Sequence, residues 1–222
     1  MRFLKWLREL LYPRKCVLCR RILEAGETDL CCQCRHSAPE HPGQSVKLAN
    51  LDSWQAVWYY EGNVPDSIRR FKFWGFRHYA KSYGRLLAME LGGDAEGFDL
   101  LTWVPTGRKR TKQRGYDQSK LLAQAVAKEL QTEPVKLLRK RWDNPPQSTL
   151  KGAAERRANV LGIYEVTRGD LVKGKRILLL DDVITTGATA GEAARVLLLA
   201  GAAQVHCGVV AVARHQEKAE KG

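Results

Sequence analysis

Long apolar runs are the first thing this 222-residue sequence lacks. No stretch approaches the roughly 20 apolar residues that a membrane-crossing helix needs, so no transmembrane segment is expected. Residues 1–12 are amphipathic, with Arg8 and Glu9 interrupting the apolar side. They contain no small-residue cleavage site, which argues against a secretory signal peptide. A short helix packed on the rest is expected, with peripheral membrane contact as the alternative. Acidic charge is also scarce: 24 Asp and Glu face 37 Lys and Arg, a formal net charge of +13. That excess points to polyanionic partners (nucleic acid, phosphorylated metabolites or an anionic membrane surface) without choosing among them. Internal repeats and low-complexity blocks are missing too. What remains is ordinary for a soluble globular chain, 44% hydrophobic and 27% charged, with enough length for one sizeable core and a small satellite. A cytoplasmic location is expected, where cysteines stay reduced and clusters of them suggest metal.

Five of the six cysteines lie between Cys16 and Cys34. Cys16-Val17-Leu18-Cys19 and Cys31-Cys32-Gln33-Cys34 form two C-x-x-C knuckles, each able to offer two thiolates to one tetrahedral zinc. Cys31 with Cys34 restores that spacing, although Cys32 can exchange with Cys31, and His36 or His41 can replace a sulfur. So short a segment has little core of its own, and a structural zinc with all four positions filled would hold it together. A redox pair is the alternative. Cys207 sits in an apolar strand and reads as core.

Residues 37–45 are rich in Pro, His, Gly and Ser and read as a linker. Strands are expected at residues 55–60, 98–104, 177–180 and 205–212, and helices at 65–73, 79–91, 118–130 and 188–200. A polar loop is expected after Pro105, a turn at Asn144-Pro145-Pro146 and a short helix at 153–158. Alternating strands and helices predict an α/β fold, a mainly parallel sheet flanked by helices. The expected division is a zinc module with its helix over 1–45 and an α/β domain over 46–222.

Asp181 and Asp182 stand at the C-terminal end of a strand with the apolar run Ile177-Leu178-Leu179-Leu180, the edge where open α/β sheets bind ligands. Ionised carboxylates only accept hydrogen bonds, which suits the vicinal hydroxyls of a ribose. Thr185, Thr186, Gly187, Ala188 and Thr189 follow and open a helix, an anion nest for a phosphate monoester. A strand–turn–helix with no ligand is the bland alternative. The segment Gly169 to Arg176 imitates a P-loop, but Arg176 replaces the needed Ser or Thr and the segment precedes a strand; it reads as a basic turn.

Residues 178–187 resemble the phosphoribosyl pyrophosphate (PRPP) signature of type I phosphoribosyltransferases. The resemblance implies that Asp181 and Asp182 hold the ribose hydroxyls and that the loop holds the 5-phosphate. Magnesium would accompany PRPP. After the second strand, Thr106, Gly107 and Arg108 can wrap a pyrophosphate, and Arg110, Lys112 and Arg114 can lie along a phosphate backbone. Arg69-Arg70-Phe71-Lys72-Phe73-Trp74-Gly75-Phe76-Arg77-His78-Tyr79 interleaves cations and rings, as single-strand binders do. At helical spacing most of these rings are expected in the core, with the cations facing outward.

The whole chain resembles the ComF family of competence proteins, which join a four-cysteine zinc module to a phosphoribosyltransferase-like domain. The likeness rests on Cys16, Cys19, Cys31 and Cys34, on Lys72-Phe73 with Gly75, and on Arg114-Gly115-Tyr116-Asp117-Gln118. Residues 147–159, with Arg156 and Asn159, and the acidic signature complete it. The family commonly shows Phe-Asn where this chain has Tyr116-Asp117. It implies a role with incoming single-stranded DNA during natural transformation. Three readings follow: a PRPP- and DNA-binding protein, a working phosphoribosyltransferase, or an adaptor docking on other DNA-uptake proteins.

Overall fold

The computed structural model describes residues 13–43, 47–92, 97–143 and 159–214. The expectations for residues 1–12, Asn144-Pro145-Pro146, residues 153–158 and Arg156 lie outside them. The described strands are β1 (Ser53–Tyr59), β2 (Leu100–Trp103), β3 (Leu138–Lys140), β4 (Tyr164–Val166), β5 (Arg176–Ile184) and β6 (Gln204–Val212). Helices of the described residues are α1 (Cys32–Ser37), α2 (Val64–Phe73), α3 (Tyr79–Leu91), α4 (Arg108–Arg114), α5 (Gln118–Glu129), α6 (Gly169–Val172) and α7 (Ala188–Leu199).

Four strands pair in parallel in the order β1-β6-β5-β2. The run in β5 explains why the sheet is covered on both faces. Leu178 and Leu180 pack with Phe71, Tyr83, Leu87 and Leu122, whereas Ile177 and Leu179 pack with Ala193, Ala194 and Leu197. The strand extends past the expected end: Asp181 pairs with Val209 and Val183 with Ala211, so both carboxylates stand on a fixed ladder. β3 and β4 make a separate antiparallel pair that the sequence reading missed.

α2 buries Val64, Ser67, Ile68 and Phe71, one helical stripe, behind a proline in its first turn. α3 lies so close to α5 that a Cβ on Gly84 would stand 2.5 Å from the Ala125 Cβ. Arg108–Arg114 is a helix, not the expected loop. The Asp143 carboxylate accepts the Lys109 N–H at 2.9 Å, and Gly115 ends the helix at φ +76°.

The stretch read as a linker lies along β1. The Tyr59 N–H donates to the Pro39 carbonyl at 2.7 Å and the His41 N–H to the Val57 carbonyl at 3.2 Å, covering an edge strand. The cysteine segment shares its core with the larger unit, since Cys16, Leu18, Leu30 and Cys31 belong to the cluster around Phe71 and Tyr83. No helix of the described residues is long and apolar enough to cross a membrane.

Candidate functional site

The C-terminal ends of β2 and β5 open into a cleft of about 960 Å³. Asp181 and Asp182 form its floor and are 8% and 4% exposed. Ser119, in the first turn of α5, donates to Asp181 Oδ1 at 2.9 Å, and the Asp182 N–H donates to the same oxygen at 2.8 Å. Burial first, and the neighbouring Asp182 charge second, push the Asp181 carboxyl up to about 7. Asp182 meets a cation instead: Lys72 Nζ, from α2, lies 2.8 Å from its Oδ1. Its other oxygen is buried with no hydrogen-bond partner among the described residues, as is the hydroxyl of Thr186.

Gly187 opens α7 at φ +75°, and a Cβ there would stand 2.9 Å from Leu48 Cδ2, so both conformation and space favour glycine. Thr185 and Thr189 line the cleft; Thr186, Gly187 and Ala188 do not. Across the cleft, Thr106 lines the wall while Gly107 is buried against Asp143 and Arg108 is exposed. The Thr106 N–H donates to Asp117 Oδ2 at 3.1 Å and its hydroxyl to Oδ1 at 3.2 Å.

α4 divides the three predicted nucleic-acid cations. Arg110 and Arg114, one turn apart, line the cleft; Lys112 is exposed and outside the lining. Arg114 donates to Gln118 Oε1 at 2.8 Å and stacks over the Phe73 ring, 4.7 Å from its centroid. The β3–β4 pair adds Lys140 and Tyr164 to the lining. Burial, then the Arg110 charge, lowers Lys140 to about 8, with Asp143 and Asp181 opposing. Burial, then the Asp181 charge, pushes the Tyr164 hydroxyl up, so it stays neutral.

The second candidate centre joins the two knuckles. The sulfurs of Cys16, Cys19, Cys31 and Cys34 all lie within 4.8 Å of one another. In a tetrahedral zinc thiolate site the spacing is about 3.8 Å, and Cys19 Sγ lies 3.6 Å from Cys31 Sγ. Burial and the adjoining sulfurs push the Cys34 thiol up, a strain that a dication relieves. These four cysteines can hold a structural metal such as zinc. Cys32 points elsewhere, 3.7 Å from His36 Nδ1, so Cys31 is the member of the set. His41 lies between Trp54 and Tyr59. Cys207 is buried in the core.

Comparison with known proteins bears on both centres. Residues 117–222 match the phosphoribosyl transferase domain family. The DNA utilization protein YhgH of Escherichia coli O6:H1 is 28% identical, over 87% of this chain and 94% of its own. Competence protein F of Haemophilus influenzae is 26% identical, over 86% of this chain and 93% of its own. Competence protein ComFC of Bacillus subtilis is 27% identical, over 67% of this chain and 59% of its own. These likenesses support a ComF-family protein.

Its fold is accordingly the type I phosphoribosyltransferase-like one, with the four-cysteine module in front. Asp117 brings a negative charge to the turn before α5. The extra charge is turned onto backbone, since Asp117 Oδ1 also accepts the Lys120 N–H at 3.2 Å and caps α5. Tyr116 donates its hydroxyl to the Phe71 carbonyl. Lys72, Lys140, Tyr164 and Ser119 were not singled out as site residues. For Lys72 the family pattern Lys72-Phe73 was the available signal; for the others no local pattern exists, because the contacts are long-range.

Proposed function

We propose that this ComF-family chain binds PRPP with magnesium in the cleft and handles single-stranded DNA on its basic surface during natural transformation. The observation that carries the reading is the buried pair Asp181 and Asp182 feeding directly into a Gly187-capped helix N-terminus. The unpartnered Asp182 oxygen fits a ribose hydroxyl donor. Thr185 and Thr189 join the anion nest. Lys72, Arg110, Arg114 and Lys140 give the cleft the positive wall that a pyrophosphate needs. Bound magnesium would neutralise charge on the pyrophosphate.

The DNA half of the reading rests on the +13 charge, on the exposed and cleft-lining cations of α4, and on the relatives named for competence and DNA utilization. Its test is oligonucleotide affinity against salt. Affinity should fall steeply, and reversing Arg110, Lys112 and Arg114 to Glu should weaken binding to every sequence alike. Salt-independent binding would contradict it.

A second reading, phosphoribosyl transfer, is favoured by Lys140. An amine held near 8 in the cleft is partly neutral at physiological pH and can take a proton from a nitrogenous acceptor. The anomeric C–O bond would break, the C–N bond would form, and pyrophosphate would leave carrying the bonding pair. Asp181 and Asp182 would steady the ribose in that step. Pyrophosphate release that needs an acceptor, and that vanishes in the Asp181→Asn, Asp182→Asn double variant, would establish turnover. Binding without release would leave a sensor.

A further inference from the structure

The end of α2 and its connection to α3 carry the exposed Phe73, Trp74 and Arg77, with Arg20 and Arg114 beside them from other elements. Phe73 is 62% exposed and Trp74 60%, the outcome opposite to the core placement expected for most rings of this segment. Phe71 and Tyr79 meet that expectation, and Arg70 is buried where an outward cation was expected. Three ring–guanidinium pairs lie around this connection. Arg20, in the first knuckle, lies 5.3 Å from the Phe76 centroid. Arg77 lies 4.7 Å from the Tyr116 centroid, its Nη2 resting over Gly115. Arg114 covers Phe73 at the cleft wall. Arg20, Phe73, Trp74 and Arg77 are exposed.

We infer that this surface is a track for a single strand of DNA, running from the cysteine module over the α2–α3 turn to the cleft. Bases stack on Phe73 and Trp74, and phosphates meet Arg20, Arg77 and Arg114. The chemistry selects this occupant. Neighbouring large exposed rings rimmed by polar groups mark a binding surface, and the flanking charges of one sign exclude a merely apolar or cationic partner. Rings spaced among arginines match an unpaired strand, whose bases are free to stack, and not a duplex, whose bases are paired. The inference rests on the DNA-binding reading above and places it away from Lys112.

The test is fluorescence anisotropy with labelled oligo-dT on the intact chain and on Trp74→Leu, Trp74→Tyr and Arg77→Gln, after matched thermal melts confirm folding. Trp74→Leu should weaken binding at least about fivefold, the low end of one base–ring stack, while Trp74→Tyr should retain most of it. Arg77→Gln should reduce the salt slope by about 0.7. Ultraviolet crosslinking of 5-iodouracil oligonucleotide should map to residues 69–79. Wild-type binding with unchanged Trp74→Leu and Arg77→Gln, or crosslinks confined to α4 around Lys112, would refute the track and leave the DNA-binding reading standing. A wild-type chain that binds no oligonucleotide would sink both.

Discussion

Asp181 and Lys140 face the same cleft with ionisations displaced toward each other, one held up to about 7 and the other down to about 8. The ribose diol donates hydrogen bonds, so it gains from the ionised Asp181; affinity should rise as pH climbs through about 7. The pyrophosphate is attracted by the ammonium form of Lys140, which is lost as pH climbs through about 8. PRPP affinity measured by calorimetry should therefore peak between the two. Lys140→Gln should flatten the alkaline limb, and Asp181→Asn should remove the acid limb and weaken binding about tenfold or more. A monotonic wild-type profile would contradict this assignment. The folded Asp181 holds its proton more tightly than the unfolded one, so its contribution is complete below about 4 and is lost as pH rises through about 7. Asp181→Asn should thus raise Tm at pH about 8 and leave it nearly unchanged at about 4. Neither value was legible in the sequence. Asp181 was identified by its place in a motif, but its burial depends on α5, and the Lys72 that meets Asp182 comes from α2, far away in the chain.

At the scale of elements, α2 joins the two centres. Ser67 Oγ donates to the Val17 carbonyl and Arg70 Nη2 to the Leu18 carbonyl, both inside the first knuckle. The Tyr83 hydroxyl shares a 2.6 Å hydrogen bond with Ser67. Two residues beyond Arg70, Lys72 reaches Asp182. Stripping metal from Cys16, Cys19, Cys31 and Cys34 should release those carbonyls, loosen α2 and raise the Kd for PRPP. Hydrogen exchange over residues 64–73 should accelerate together with the loss of affinity. Metal loss with unchanged exchange and unchanged Kd would show the module to be independent. Packing gives a companion prediction: Gly84→Val would drive α3 from α5 and lower stability by about 1–3 kcal/mol in chemical unfolding.

The same elements show what sequence could and could not reveal. α3 was legible to the residue because Tyr79, Tyr83, Leu87 and Leu91 repeat at helical spacing. α4 was not, because its cap comes from Asp143, far along the chain. β3 was not, because Leu138-Arg139-Lys140 is too short to show alternation and pairs with a partner beyond residue 160. β5 ran past its expected end because β6 pairs with it up to Ile184.

For the whole molecule, the net charge of +13 was plain from composition, but its use was not. Folding sends Arg110 and Arg114 to the cleft, leaves Lys112 outside and aligns Arg20, Arg77 and Arg114 with rings. Phosphorus NMR of PRPP and magnesium titrated with the purified chain is the most direct test of binding in the cleft. The PRPP resonances should shift or broaden and saturate with protein, and the free-ligand spectrum should return in the Asp181→Asn, Asp182→Asn double variant. PRPP resonances unmoved by excess wild-type protein would contradict it.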